Sequence, residues 1–319
     1  MNDAYDIFFI MKPLIKIEIN EIVELFNRLN LKIIESKFKI NFIDMFCGIS
    51  DTSSNSIAYV AKKRYITADF SSVLGLILLE QKVFESTDLD NCDCSYVVVE
   101  NAKYAFAAIH EEFVAKNHVV FDSGDIRRSN FDDSNTIAPD VFIGEDVSIG
   151  SHAVIYPGVR ILGGTVLGNH VVIKPNTVIG GDGFGYATRI GYPPLKIPHL
   201  GNVVIGNHVD IGSNVTIDKA TFGSTIVKDF VKFDNGVHVA HNCHIGERTL
   251  LAAHAELSGS VTIGHDSWIA PNASIKESIN IGNNVLVGIG SVVTWDLPDN
   301  AVAFGVPAKI IRYQNQDVT

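Results

Sequence analysis

The sequence predicts a mainly β chain in which a long prism of short parallel strands follows a small α/β domain. Three observations carry that expectation. An aliphatic residue recurs every six positions from Ile137 onward, Gly, Pro, Asn and Asp cluster between these residues, and the repeat is absent before residue 120. A period of six matches neither a helix turn nor the alternation of a two-sided strand. It matches a short strand and a tight turn repeated around a triangle.

The register residue falls at Ile137, Ile143, Ile149, Ile155, Ile161, Leu167, Ile173 and Ile179, again at Ile205, Ile211 and Ile217, and then from Val227 to Val293 without a break. These make twenty-three hexads. Three hexads close one coil of 18 residues, so seven or eight coils follow, each burying its neighbour's aliphatic ladder. The second small residue of a hexad, such as Val141, Val147 or Ala153, fills the corner beside the turn.

The register breaks twice. Between Ile179 and Ile205 the surplus is GGDGFGYATRIGYPPLKIPHLGN, which must leave the prism as a loop over 181–202. Between Ile217 and Val227 four extra residues, Lys219 to Phe222, form a smaller excursion. Loops ejected from a strict repeat commonly wall a substrate site.

Residues 1–120 read as the small α/β domain. Asn20 is the expected N-cap for EIVELFNRLN, KIIESKFKINFI and SYVVVE read as strands, and NAKYAFAAIHEEFVAK as an amphipathic helix. A polar, turn-rich stretch over 121–135 is the linker, 136–295 the prism, and 296–319 a tail.

Lys+Arg 25 against Asp+Glu 36 gives a net charge of −11, which repels phosphate backbones and argues against nucleic acid as a partner. The opening MNDAYDIFFIMKPLIKIEIN lacks a basic n-region and a long apolar run, and no stretch reaches the ~18 apolar residues of a membrane span. A cytoplasmic chain is expected. Cys47, Cys92, Cys94 and Cys243 are read as reduced thiols.

The order of a small α/β domain, hexads, the GGDGFGYA loop, TIDKA and FDNGVHVAHNCHIG resembles the UDP-3-O-acylglucosamine N-acyltransferases of lipid A synthesis. The resemblance implies a left-handed parallel β-helix, a homotrimer with each site between two subunits, and a 3-hydroxyacyl donor on acyl carrier protein. This sequence departs from that family at Ser278, where a second histidine is expected, and at its end. AFGVPAKIIR resembles instead the CoA-dependent acetyltransferases of nucleotide-linked amino sugars, and implies acyl-CoA as co-substrate. The first expectation is therefore N-acylation of a nucleotide-linked amino sugar, UDP or dTDP, by a short acyl-CoA for surface polysaccharide synthesis. The second is the lipid A reaction itself with carrier protein as donor, and a third is a non-catalytic β-helix that binds a nucleotide sugar.

Acyl transfer to an amine needs a proton acceptor, a donor for the thioester oxyanion and a slot for the pantetheine arm. By its AHN motif His241 is the expected base, and a histidine titrates near neutrality. One 18-residue coil beyond it stands Gly259, whose backbone N–H is expected to hold the oxyanion. Asp234 is expected to orient the imidazole, with Asn235 beside it at the substrate. Resemblance places Tyr59 and Tyr65 against the uracil, although Lys62 replaces the asparagine expected between them. Phe184 and Tyr186 are expected to wall the acceptor or acyl chain, and Lys309 and Arg312 to meet the CoA phosphates. His238, His241 and His244 invite a metal reading, but residues one hexad apart lie on different prism faces and cannot converge, so no metal is expected.

Overall fold

The computed structural model describes residues 16–49, 52–62, 75–87, 89, 94–115 and 132–314. Of these, 132–184 and 201–314 form one compact unit; the residues up to 115, together with 185–200, form the other.

The first unit is a parallel β-helix built from the hexads. Each strand is two residues long at most positions and pairs in parallel with the strand one coil further on, as in Thr136–Ile137 with Val154–Ile155 and Val154–Ile155 with Val172–Ile173. The register aliphatics point inward and are buried, Ile155, Ile173, Ile211 and Leu251 all at 1% exposure or less. Truncating one of these ladders to Ala costs about 2–5 kcal/mol, because neighbouring coils cannot collapse into the gap. Three sheets face outward. The first has seven strands, from Ser148–Ile149 to Asn280–Ile281; the second ten, from Thr136–Ile137 to Ala308–Tyr313; the third eight, from Phe142–Ile143 to Val292–Val293. Pairing resumes in register across the large insertion, with Leu167 opposite Ile205. The tail continues the second face: Ala301–Gly305 adds in parallel, and Ala308–Tyr313 folds back on it antiparallel.

The three corners differ chemically. At the corner from the first face to the second, His152, His170, His208 and Phe230 stack at centroid distances of 4.7–5.0 Å. There, side chains of one coil cap the backbone of the one before it: Ser151 N–H donates to Asn169 Oδ1 at 2.8 Å, Asn169 N–H to Asn207 Oδ1 at 2.8 Å and Asn207 N–H to Asp229 Oδ1 at 2.7 Å. Among the described residues the corner from the third face to the first shows no such ladder, and its equivalent positions include Gly163, Gly181, Lys219, His241 and Gly259.

The second unit is a five-stranded sheet in the order Ile33–Lys37, Ser95–Val99, Leu76–Glu80, Ser56–Val60, Met45–Phe46, antiparallel only in its first pair. Ser95–Val99 is buried throughout. The first helix runs Ile19–Arg28 and starts two residues earlier than Asn20 implies, because Glu18 is its N-cap and Glu18 N–H donates to Glu21 Oε2 at 2.9 Å. The helix Ala102–His110 is capped by Asn101 Oδ1, which accepts from Tyr104 N–H at 2.8 Å, and its seven residues Ala102 and Tyr104 to Ile109 are buried rather than amphipathic. Cys94 is disulfide-bonded, against the expectation of four reduced thiols, whereas Cys47 and Cys243 are free and buried.

The insertion ejected from the prism becomes a β-hairpin, Tyr186–Arg189 with Tyr192–Lys196. Arg189 donates to Leu29 O at 2.7 Å and Asn30 O at 2.6 Å and lies 4.2 Å from the Tyr192 ring centroid; Asn101 Nδ2 donates to Thr188 O at 3.0 Å. The hairpin is thus an integral part of the N-terminal unit, a placement the hexad count alone does not reveal.

Candidate functional site

His241 sits where the third face turns into the first, after the strand His238–Val239. The 18-residue coil brings Gly259 directly against it. A Cβ built on Gly259 would stand 2.8 Å from both Cε1 and Nε2 of the imidazole, so only glycine leaves room for the ring. The ring is oriented from its other side by Asn242, whose Oδ1 lies 3.0 Å from His241 Nδ1.

Asn242 settles the tautomer. Its Oδ1 accepts from Thr221 N–H at 2.9 Å and its Nδ2 donates to Phe222 O at 3.0 Å, which fixes which end of the amide is oxygen. That oxygen only accepts, so by the hydrogen-bond network Nδ1 carries the proton and Nε2 keeps a lone pair facing Gly259. An imidazole in this tautomer presents Nε2 as an acceptor and can serve as a base. The excursion Lys219 to Phe222 thereby has a purpose: it supplies the two backbone groups that lock Asn242. Asn242 itself is in the left-handed region at φ 61°, a conformation asparagine tolerates, and Thr225 Oγ1 accepts from its N–H at 2.9 Å.

Among the described residues, the Gly259 N–H has no acceptor. At the first-to-second corner the equivalent N–H is capped by an Asn or Asp one coil on, whereas here the residue one coil on is Glu277, exposed and not reaching back. An open backbone N–H beside a basic imidazole can stabilise an oxyanion while the imidazole takes a proton. Ser278, where a second histidine is expected, occupies a left-handed corner at φ 61° and donates its N–H to Gly259 O at 3.0 Å.

Polar side chains continue from the corner onto the third face. The parallel pairing Thr216 with His238 and Ile217 with Val239 sets Asp218 beside Ala240, one residue before His241. Lys219 pairs with Asp182 at 3.0 Å. Asp218 is half-buried next to Asp182, and burial first, then that neighbouring charge, push its carboxyl up to about 7. His238 accepts or donates at Thr216 Oγ1, 2.7 Å from Nδ1, and burial lowers its pKa, so it is held neutral near pH 7. Cys243 is no nucleophile: burial pushes its thiol up to about 12, and its Sγ donates to Ser258 O at 3.2 Å.

Asp234 lies elsewhere. It is in the turn between the second and third faces, a full prism corner from His241 in the same chain, and its Oδ1 accepts from Asn235 N–H at 2.7 Å. Within the chain the group that meets His241 Nδ1 is Asn242, the residue that follows the histidine in AHN, which nothing in the hexad pattern singles out. Asn235 Oδ1 accepts from Ser213 N–H at 2.7 Å, a coil-to-coil cap. His238 and His244 belong to the third and first faces, and among the described residues no group of three His, Cys, Asp or Glu is placed to hold a metal.

Tyr59 stands on Ser56–Val60 with its ring 5.0 Å from that of Phe106; Tyr65 lies outside the described residues. Phe184 is 88% exposed and Tyr186 42%. Lys309 and Arg312 are exposed on Ala308–Tyr313, five strands along the second face from Lys232–Phe233, or ~24 Å at ~4.8 Å per strand. They lie on the second face, whereas His241 is at the corner between the third and first faces, so within the chain they do not form one cluster. Among the described residues, no helix is long and apolar enough to cross a membrane.

A prism of hexads with a histidine fitted over a glycine of the next coil defines a hexapeptide-repeat transferase, and the family model "Bacterial transferase hexapeptide (six repeats)" matches residues 146–181. Two relatives extend the match over most of the chain. The UDP-3-O-acylglucosamine N-acyltransferase of Helicobacter pylori (strain ATCC 700392 / 26695) is 33% identical over 257 residues, 75% of each chain. That of Helicobacter hepaticus is 33% identical over 292 residues, 86% of each. Among solved structures, UDP-N-acetylglucosamine acyltransferase from Campylobacter jejuni is 24% identical, covering 58% of this chain and 73% of that one, with a TM-score of 0.48. The chain belongs to the UDP-3-O-acylglucosamine N-acyltransferase family and is an acyltransferase.

Proposed function

We propose that this protein transfers an acyl group from a thioester on acyl carrier protein to the amine of UDP-3-O-acylglucosamine. Family membership favours this reaction over the short acyl-CoA reaction that the ending AFGVPAKIIR implies. The observation that carries it is the His241 imidazole with Nε2 unprotonated against a Gly259 N–H that has no acceptor among the described residues.

The amine nitrogen attacks the thioester carbonyl carbon, and the carbonyl oxygen becomes an oxyanion that accepts from Gly259 N–H. His241 Nε2 takes a proton from the nitrogen as the bond forms. The C–S bond then breaks, the sulfur leaves with the electron pair, and the imidazolium returns the proton to it. The products are an amide and a free thiol. Asn242 holds the ring through both steps, because its oxygen accepts the Nδ1 proton in either protonation state.

Tyr59 and Tyr65 are the residues proposed for the uracil, Phe184 and Tyr186 for the acyl chain. Lys309 and Arg312, two exposed cations on the last strand, suit the phosphate of a phosphopantetheine arm. A single prism corner offers one wall only, so the working unit in this reading is a homotrimer. A neighbouring copy then brings the corner with Asp234 and Asn235 to the substrate that its own corner keeps from His241. Incubation with UDP-3-O-acylglucosamine and either 3-hydroxyacyl carrier protein or acetyl-CoA, read by mass spectrometry, tests the reading. An amide formed with the carrier protein supports it; an amide formed with acetyl-CoA alone returns the short-acyl reaction to first place.

A further inference from the structure

The motif TIDKA has at its centre a residue, Asp218, that the base and the oxyanion donor leave unused. Asp218 points outward on the third face, since its neighbour Ile217 is buried at 0% and successive side chains alternate across a strand. Pairing of Ile217 with Val239 sets it alongside Ala240, and the next residue, in the turn after that strand, is His241. The Asp218 side chain is 17% exposed, and His238 Nε2 stands 4.0 Å from its Oδ2, beyond hydrogen-bond reach. Among the described residues no donor reaches the carboxylate. A carboxylate so nearly enclosed normally has donors, because leaving it without them costs free energy.

The residues around Ala240 complete the setting. Ala240 offers only a methyl group, with Asp218 one coil before it and Ser258 one coil after. His238 precedes it and His241 follows. Two acceptors therefore flank one small patch: the Asp218 carboxylate and His241 Nε2.

We infer that Asp218 is the residue that selects an amine over a hydroxyl as the acyl acceptor. The inference rests on the acyl-transfer reading above. A nucleophile bound between His241 and Asp218 must donate to both. An amine has at least two N–H bonds, so one proton goes to His241 as attack proceeds while another stays hydrogen-bonded to Asp218. A hydroxyl has one O–H and cannot serve both, which leaves the carboxylate unpartnered and penalises the wrong acceptor. An arriving ammonium gains a counter-charge as well. No bond to Asp218 forms or breaks; its part is to bind and orient the nitrogen with its lone pair toward the thioester carbon.

The test compares wild type with Asp218→Asn, using UDP-3-O-acylglucosamine as substrate and its analogue with a hydroxyl in place of the amine as competitive inhibitor. In the variant the amine KM is expected to rise at least ~10-fold, with the donor KM unchanged, while the inhibition constant of the hydroxyl analogue moves less than ~3-fold. A purely structural role moves amine and hydroxyl analogue together. That result, or an unchanged amine KM, overturns the inference and leaves the reaction itself standing. A wild-type protein that forms no amide overturns the reaction, and the inference falls with it. Should Asp218→Asn not fold, Ala240→Val fills the same patch. It is expected to raise the amine KM with the donor KM unchanged, and an unchanged amine KM again refutes the assignment.

Discussion

Adding one methyl group at Gly259 probes the fit between the two residues that define the site. The Cβ of Gly259→Ala would stand 2.8 Å from His241 Cε1 and Nε2, against ordinary contacts near ~3.5 Å, so the ring must retreat by ~0.7 Å. Gly259 is not in the left-handed region, and alanine adds no backbone strain there. The corner is at the surface, and the melting temperature is expected to move only a few degrees. Displacement of a catalytic base on the order of 1 Å costs ~10²-fold, and the retreating ring also breaks its alignment with Asn242. The expected result is therefore a kcat about 10²-fold below wild type with both KM values within ~3-fold, measured by initial rates at saturating donor. A kcat within ~3-fold of wild type refutes the reasoning, since the imidazole then has no need of its present position.

Three further outcomes follow from the same geometry. Asn242→Ala removes the acceptor that holds Nδ1–H and the partner of Thr221 and Phe222, so kcat is expected to fall ~10-fold or more; steady-state rates at neutral pH check it, and unchanged rates contradict the tautomer assignment. The Asp218 carboxyl is raised to about 7 in the folded protein, among Asp182, Lys219 and His238, so the folded state holds its proton longer than the unfolded chain does. The resulting cost is absent near pH 3, grows as pH rises from ~4 and is complete above ~7; after allowance for water access Asp218→Asn is expected to be more stable by about 1–2 kcal/mol at pH 8 and by nothing at pH 3, as read by denaturant melts. Lys309→Ala with Arg312→Ala is expected to raise the donor KM and leave kcat and acceptor KM in place, which titration of the donor separates from a general loss of activity.

The prism was legible in the sequence because its constraint is strictly local. Each inward position must be aliphatic, each corner must admit a left-handed or small residue, and both demands repeat every six residues from Ile137 to Val293. Gly259 could be reached the same way, since coil length alone stacks it on His241. Asn242 was not, because its role depends on the backbone of an excursion whose path no periodicity specifies. The place of Asp234 was not legible either: seven residues span a corner of the prism, and sequence distance does not say which corner of the same chain a side chain occupies. The hairpin of Tyr186–Arg189 and Tyr192–Lys196 was expected as a wall of the site, yet it owes its place to Arg189 and to the carbonyls of Leu29 and Asn30, partners more than 150 residues away.

The pH dependence of kcat in His241→Ala tests the central claim most directly, because a positioned base contributes ~10²–10⁴-fold and an already neutral amine needs less help. The account expects kcat at pH 7 to fall by that range with substrate KM values nearly unchanged, and the residual rate to climb as pH rises. A variant that keeps near-wild-type kcat at pH 7 would show that the amine loses its proton to another group and that His241 is not the base.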